Sequence, residues 1–244
     1  MVQARIERRI QALRLGNIQG YLNYLIRDPH GSEVEHLLNA VSTNLTHFYR
    51  DQAQYSVLHD VLEQWMSEGQ TKFRLWSAAC STGQEAYSMA MTLLDCAGKK
   101  KMDWKILGTD ISTDALRTAT SGIFPKNEIE RIPKNLLARY FVQKEKGKKT
   151  EHHIHSKIRT QVSFNRLNLA ATPFIMKGPF DVIFCCNVMI YFDDPVKDHL
   201  LKEIHRLLRP GGLLMVGQAE RLSDKHAKQF HNVHPSIYER RSSK

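Results

Sequence analysis

From Phe73 onward the hydrophobic positions fall into a repeating order: a short continuous apolar run, a turn of small or polar residues, then apolar positions spaced three and four apart. Residues 73–79 (FRLWSAA), 104–109, 180–186 and 213–217 read as strands, and 84–95, 113–120 and 195–208 as helices. Continuous apolar strands are those buried on both faces, so the alternation predicts an α/β fold with a doubly wound, mostly parallel sheet. The stretch RLLRPGGLLMVG reads as helix, Pro-Gly-Gly turn and inner strand. Before Phe73 the spacing is helical throughout. Ile6, Ile10 and Leu13 share one face opposite Arg5, Arg8, Arg9 and Arg14, and Tyr21, Leu22, Leu25 and Ile26 form a second stripe. A break at Asp28-Pro29-His30-Gly31 leads into a helix over 33–41, and an amphipathic helix over 52–65 ends near Gly69. The pattern thus predicts a small N-terminal helical subdomain over 1–43 and a main domain over 44–244. The charged, glycine-centred stretch at about 142–165 interrupts the alternation and predicts a β-hairpin insert.

Composition adds boundaries. With 244 residues, 42% of them hydrophobic, the chain can bury a sizeable core. No apolar run approaches the roughly 20 residues that span a bilayer, and MVQARIERRI is charged where a signal peptide is apolar, so a cytoplasmic protein is expected. Cys80, Cys96, Cys185 and Cys186 form no CxxC pair and are expected reduced. The HHIH run at 152–155 lacks companion ligands at metal spacing, so no metal is expected. The net charge of +10 favours an acidic partner, without saying whether nucleic acid, lipid or an acidic helix.

Ligands of open α/β sheets sit at the carboxyl ends of the strands. There, SAACSTGQEAYSMAM (77–91) supplies Ala78, Ala79 and Gly83, which let a ligand approach the backbone, and a helix start with free N–H groups. The spacing is not GxGxxG. Asp110 closes the second strand, positioned either to accept hydrogen bonds from two ribose hydroxyls or to cap the helix that begins near Ser112 and Thr113. Asn168 and Asn187 are polar residues at the ends of further apolar stretches, and Tyr191 follows the second of them.

These blocks resemble one family, the CheR chemotaxis-receptor protein-glutamate methyltransferases. The resemblance runs through NLTHFYRD (44–51), LWSAACSTGQEAYSMAM (75–91), GTDIS (108–112), SGIF (121–124), RYF (139–141), LNL (167–169), FDVIFCCNVMIYFDD (180–194), LLRPGGLLMVGQAE (207–220) and SIYE (236–239). It implies a Rossmann-like class I methyltransferase that uses S-adenosylmethionine, releases S-adenosylhomocysteine and methylates glutamates on chemoreceptors. By the resemblance, Asn44, Thr46 and Arg50 line the active site, Ala79 makes room for the cofactor, and Glu85 and Asp110 hold its polar groups. Asn168 and Leu169 meet the adenine side, and Cys186, Asn187 and Tyr191 complete the pocket near the transferred methyl. Arg50 and Tyr191 are the expected catalytic pair.

Three departures accompany the resemblance. Cys186 stands where many members have Arg, Gln84-Glu85-Ala86 replaces Glu-Glu-Pro, and the helical region before Asn44 is about half the usual length. The expected partners are acidic, glutamate-rich cytoplasmic helices of chemoreceptors, drawn by the basic face of the first helix. The insert resembles a β-subdomain that in some members grips a receptor's C-terminal peptide. A monomer is expected, with no membrane insertion. Nucleic acid is not expected, because the chain has neither a D/N-P-P-Y/F nor a Pro-Cys catalytic block. The alternatives are a cofactor-binding regulatory module, or a class I methyltransferase with another protein or a small acid as acceptor.

Overall fold

A computed structural model describes residues 2–147 and 149–242. Three helices open the chain: α1 (Val2–Ala12), α2 (Ile18–Arg27) and α3 (Ser32–Val41). They are held by a part-buried ion pair in which the Arg9 guanidinium donates from Nε and Nη2 to the two oxygens of buried Glu33, at 2.9 and 2.6 Å, and the Tyr21 hydroxyl donates to Glu33 Oε1 at 2.7 Å. Arg5 Nη1 donates to the carbonyls of Val41 and Ser42 at the end of α3, at 2.7 and 2.8 Å. Two of the four arginines expected to present a basic face are therefore spent inside the subdomain. Helical spacing identified their side of α1 but not the acid and carbonyls that cover it.

The main domain follows: α4 (Gln52–Ser67), β1 (Lys72–Ser77), α5 (Gln84–Ala97), β2 (Asp103–Asp110), α6 (Thr113–Ser121), β3 (Ile123–Phe124), α7 (Lys126–Ile129), α8 (Lys134–Tyr140), β4 (Phe141–Lys146), β5 (Lys149–Ile154), α9 (Ser156–Arg159), β6 (Val162–Arg166), β7 (Phe180–Cys185), α10 (Asp194–Leu207), β8 (Leu208–Val216), β9 (Phe230–His234) and β10 (Ile237–Arg240). Seven strands form one sheet in the order β6-β2-β1-β7-β8-β10-β9. The first five are mutually parallel, and β10 and β9 close the sheet antiparallel. Every residue of β7 is buried, as its unbroken apolar run requires. Leu58, Leu62, Met89 and Leu93 of α4 and α5 pack on one face, and Leu200, Leu201 and Ile204 of α10 pack with Trp76 on the other. No described helix is long and apolar enough to cross a membrane.

Two expectations change in detail. The hairpin is β4 and β5, with β3 added to its edge, and it ends at Ile154; residues 162–166 instead form β6, which pairs in parallel with β2. As an edge strand β6 has one neighbour and alternates, which is why it reads like part of the hairpin. The Pro-Gly-Gly segment lies inside β8 rather than before it. Phe180 pairs with Leu208 and Val182 with Leu213, so the segment between them loops out of the ladder as a bulge. Arg209 Nε donates to Asp181 Oδ1 at 2.7 Å there.

The sheet order reverses at β1, which has β2 on one side and β7 on the other. Such a switch point opens a crevice at the carboxyl ends. Gly83, at the entrance to α5, has φ +97°, and a Cβ there would stand 2.8 Å from Ala119 Cβ and 3.0 Å from its Cα. Gly83→Ala is expected to cost about 2–4 kcal/mol from backbone strain and overpacking. Thermal denaturation should show a melting point lower by several degrees, and an unchanged one would refute the close approach.

Candidate active site

The crevice is a cavity of about 460 Å³. Its floor is the segment after β1, where Ala78 is fully buried and Ala79 half-buried, and no side chain longer than a methyl rises from either position. Asp110 ends β2 and is 9% exposed. Its Oδ2 accepts the Ser81 N–H at 2.8 Å and its Oδ1 the Ser112 N–H at 2.9 Å. Burial pushes its carboxyl above the ordinary carboxylate value, and the amide bonds from Ser112 and Ser81 oppose the rise. Asp110 is not the cap of α6. That is Ser112, whose hydroxyl accepts the Ala115 N–H at 3.2 Å.

The same turn carries the helical subdomain. Ser112 Oγ donates to Asn39 Oδ1 at 3.0 Å, Asn39 Nδ2 donates to Thr113 Oγ1 at 3.0 Å, and Thr113 Oγ1 donates to Glu35 Oε1 at 2.5 Å. Glu35 and Asn39 belong to α3, which thereby rests on the turn from β2 into α6.

Glu85 stands in the first turn of α5 and accepts the Ser77 hydroxyl at 2.6 Å. Burial pushes its carboxyl up to about 7, against the Ser77 hydrogen bond and the charge of Arg50.

The 44–51 segment forms the facing wall. Phe48 is fully buried, with ring centroids 4.9 Å from Phe124 and 5.7 Å from Phe141 on the smaller sheet. That anchor leaves Asn44, Thr46 and Arg50 on the cavity side. Arg50 lies between two residues of positive φ, Tyr49 at 53° and Asp51 at 58°, and its Nη1 donates to the Leu45 carbonyl at 2.8 Å.

Beyond β7, Cys186 and Asn187 line the cavity, and Tyr191, 64% exposed, stands at its mouth. Cys186 Sγ lies 3.6 Å from Gln54 Oε1. Asn168 and Leu169 form the end wall, the former accepting the Ala170 N–H at 3.0 Å to fix its turn.

All eleven residues that the resemblance assigns to the site line this one cavity: Asn44, Thr46, Arg50, Ala79, Glu85, Asp110, Asn168, Leu169, Cys186, Asn187 and Tyr191; Gly83, also expected to let a ligand approach the backbone, does not line it and instead packs against Ala119 and Tyr87. The sequence reading missed Ser81 and Leu45, which also line it, and Glu220, which lies behind the wall and binds its backbone. All three lay inside blocks already quoted, Glu220 as the lone acid that ends LLRPGGLLMVGQAE after an apolar strand.

Comparison with known families decides the class. Residues 44–238 match "CheR methyltransferase, SAM binding domain" and residues 1–42 match "CheR methyltransferase, all-alpha domain". This chain belongs to the CheR methyltransferase family. It is 38% identical to the chemotaxis protein methyltransferase of Escherichia coli over 91% of this chain and 77% of that protein. It is 36% identical to chemotaxis protein methyltransferase 2 of Pseudomonas aeruginosa over 90% of this chain and 78% of that one. A TehB-like SAM-dependent methyltransferase from Corynebacterium glutamicum superposes with a TM-score of 0.43 at 13% identity, over 75% of this chain and 88% of that chain. As a CheR methyltransferase the chain uses S-adenosylmethionine.

The CheR cavity fits that cofactor by its donor set. Two backbone amides occupy part of Asp110, and an ionised carboxylate accepts at about four lone-pair sites, so acceptor capacity remains for a diol. Glu85 offers a second acid for a cationic group, and the alanine floor admits a bulky ligand against the backbone.

Proposed function

We propose that this chain methylates glutamate side chains on the cytoplasmic helices of chemoreceptors, forming glutamate methyl esters. The observation that carries the reading is the convergence of all eleven candidate residues, from five separate stretches of a CheR chain, on one cavity at the sheet's switch point.

S-adenosylmethionine, when bound, supplies a methyl group activated on a sulfonium. Asp110 holds the ribose hydroxyls, Glu85 faces the cationic amino acid end, and Asn168 with Leu169 bounds the adenine. Ala79, Asn44 and Thr46 shape the pocket, and Cys186 and Asn187 close it beside the reacting end. A glutamate acceptor is already ionised at neutral pH and needs no general base. What remains for the protein is placement, which Arg50 and the Tyr191 hydroxyl provide by orienting the acceptor carboxylate. Placement alone is worth about 7–11 kcal/mol in favourable cases.

Arg8 and Arg14 keep part of the basic character of α1 and its exit available to an acidic receptor helix, an interaction that mainly raises association rate. The enzyme acts as a cytoplasmic monomer.

Labelled methyl transfer to a receptor cytoplasmic fragment tests the reading. Alkali-labile label released as methanol is expected. Alkali-stable label would point to N-methylation, and cofactor binding with no transfer would favour a regulatory module.

The titration of Glu85 gives a second test. Its carboxyl is protonated below about 7 in the free protein, and a cationic ligand needs the ionised form. Cofactor affinity is therefore expected to fall as pH drops below 7, approaching about tenfold per pH unit, and to level off above it. Isothermal titration at pH 6 and pH 8 measures this, and Glu85→Gln should flatten the profile. A pH-independent affinity in the parent chain would refute the assignment.

A further inference from the structure

Glu220 lies on the segment after β8 and is 4% exposed, yet it does not line the cavity. Its carboxylate sits between the ends of two neighbouring parallel strands. Oε2 accepts the N–H of Asn187 at 2.8 Å and of Gly217 at 2.6 Å, and Oε1 accepts the N–H of Ile190 at 3.3 Å. The first and third of these donors belong to the turn after β7 that carries Asn187 and Tyr191.

That turn is held in an unusual shape. Asn187 has φ +58°, a left-handed conformation that asparagine tolerates better than most residues but does not enter without support. Past the end of β7 the amides of the turn have no ladder partner, and a buried carboxylate supplies one with charge-assisted strength. Gly217 completes the arrangement: a Cβ there would press on the Asn187 side-chain nitrogen, and would stand 2.8 Å from Glu220 Oε2 and 2.9 Å from Asn187 N. Ile190 marks the geometry, for it lines the main cavity on one side and, together with Glu220, a second pocket on the other. The turn is thus a thin wall, with the reactants on one side and the carboxylate on the other.

We propose that Glu220 is a positioning residue for methyl transfer: its buried carboxylate clamps the 187–191 turn through main-chain amides and so sets where Asn187 and Tyr191 stand against the reactants. The proposal rests on the functional reading above and adds to it a residue that touches neither cofactor nor acceptor. It predicts a defect in turnover that outlasts saturation with both substrates, because the clamp governs placement rather than encounter.

The test is Glu220→Gln, which keeps the size but loses the charge and half of the acceptor capacity. Expected results are a kcat lower by about tenfold or more at saturating cofactor and receptor fragment, since small misplacements at a reacting centre have effects of this order. Affinity for S-adenosylhomocysteine and melting temperature should stay close to the parent, while amide hydrogen exchange at Asn187 and Ile190 quickens. A parental kcat with quickened exchange would overturn the proposal. So would a loss of activity that merely follows the unfolded fraction. Gly217→Ala, which pushes on the same turn without removing the carboxylate, should reproduce the kcat defect, and it decides the matter if E220Q does not fold. A parent chain that binds S-adenosylhomocysteine but methylates no receptor fragment would instead overturn the functional reading, and the role of Glu220 with it.

Discussion

Arg50→Ala is expected to lower kcat by about 10²-fold and the affinity for S-adenosylhomocysteine by less, the latter through the lost charge that helps keep Glu85 ionised. The reason lies in the charge of the cavity. Among the described lining residues Arg50 is the one cation, and it shares the space with Glu85 and Asp110. A glutamate acceptor brings a third carboxylate to the same mouth. Without Arg50 no protein cation offsets the repulsion between the acceptor and the carboxyl groups of Glu85 and Asp110, in a partly desolvated site where it is far less screened than in water. Its guanidinium is also aimed, because Tyr49 and Asp51 fix the backbone on either side and the Leu45 carbonyl takes one N–H. Arg50→Lys should recover part of the loss by restoring the charge without the planar fork. Steady-state transfer to a receptor fragment, paired with titration of S-adenosylhomocysteine, separates turnover from binding. A normal kcat in Arg50→Ala would remove the residue from the mechanism.

Asp110→Ala acts on the other quantity. The carboxylate is nearly buried and takes two amides, and the proposed ribose contacts use its remaining lone pairs. Hydrogen bonds to a charged group contribute about 1.5–3 kcal/mol, so the variant should bind S-adenosylmethionine about 10- to 150-fold more weakly. The truncation also strands the N–H groups of Ser81 and Ser112, which adds a loss of stability. Asp110→Asn keeps the size and one acceptor oxygen, and should fall between the parent and alanine. Calorimetric titration reads the result directly, and an unchanged affinity would sink the ribose assignment.

Part of this site was legible in the sequence because parallel strands advertise themselves, whereas Asn44, Thr46, Arg50, Glu85, Leu169 and Cys186 were placed only by the family resemblance. Runs such as FDVIFCC have to be buried on both faces, so the polar residue that follows, Asn187, falls at a strand end where ligands sit. The small residues of 77–83 and the acid at 110 then take their places by topology alone. What escaped was set by partners distant in the chain. Arg5 and Arg9 look like a solvated basic face until Glu33 and the end of α3 fold over them. Residues 162–166 look like hairpin because an edge strand alternates, and only the β2 ladder reveals their sheet. Glu220 left almost no trace, since it works on backbone amides that every residue possesses.

The seat of α3 on the Ser112–Thr113 turn joins the helical layer to the strand end that carries Asp110. Binding linkage is reciprocal, so whatever factor an ordered α3 contributes to cofactor affinity is returned by the cofactor to the ordering of α3. A partner that grips the helices and the cofactor would then each change the other's affinity by that one factor.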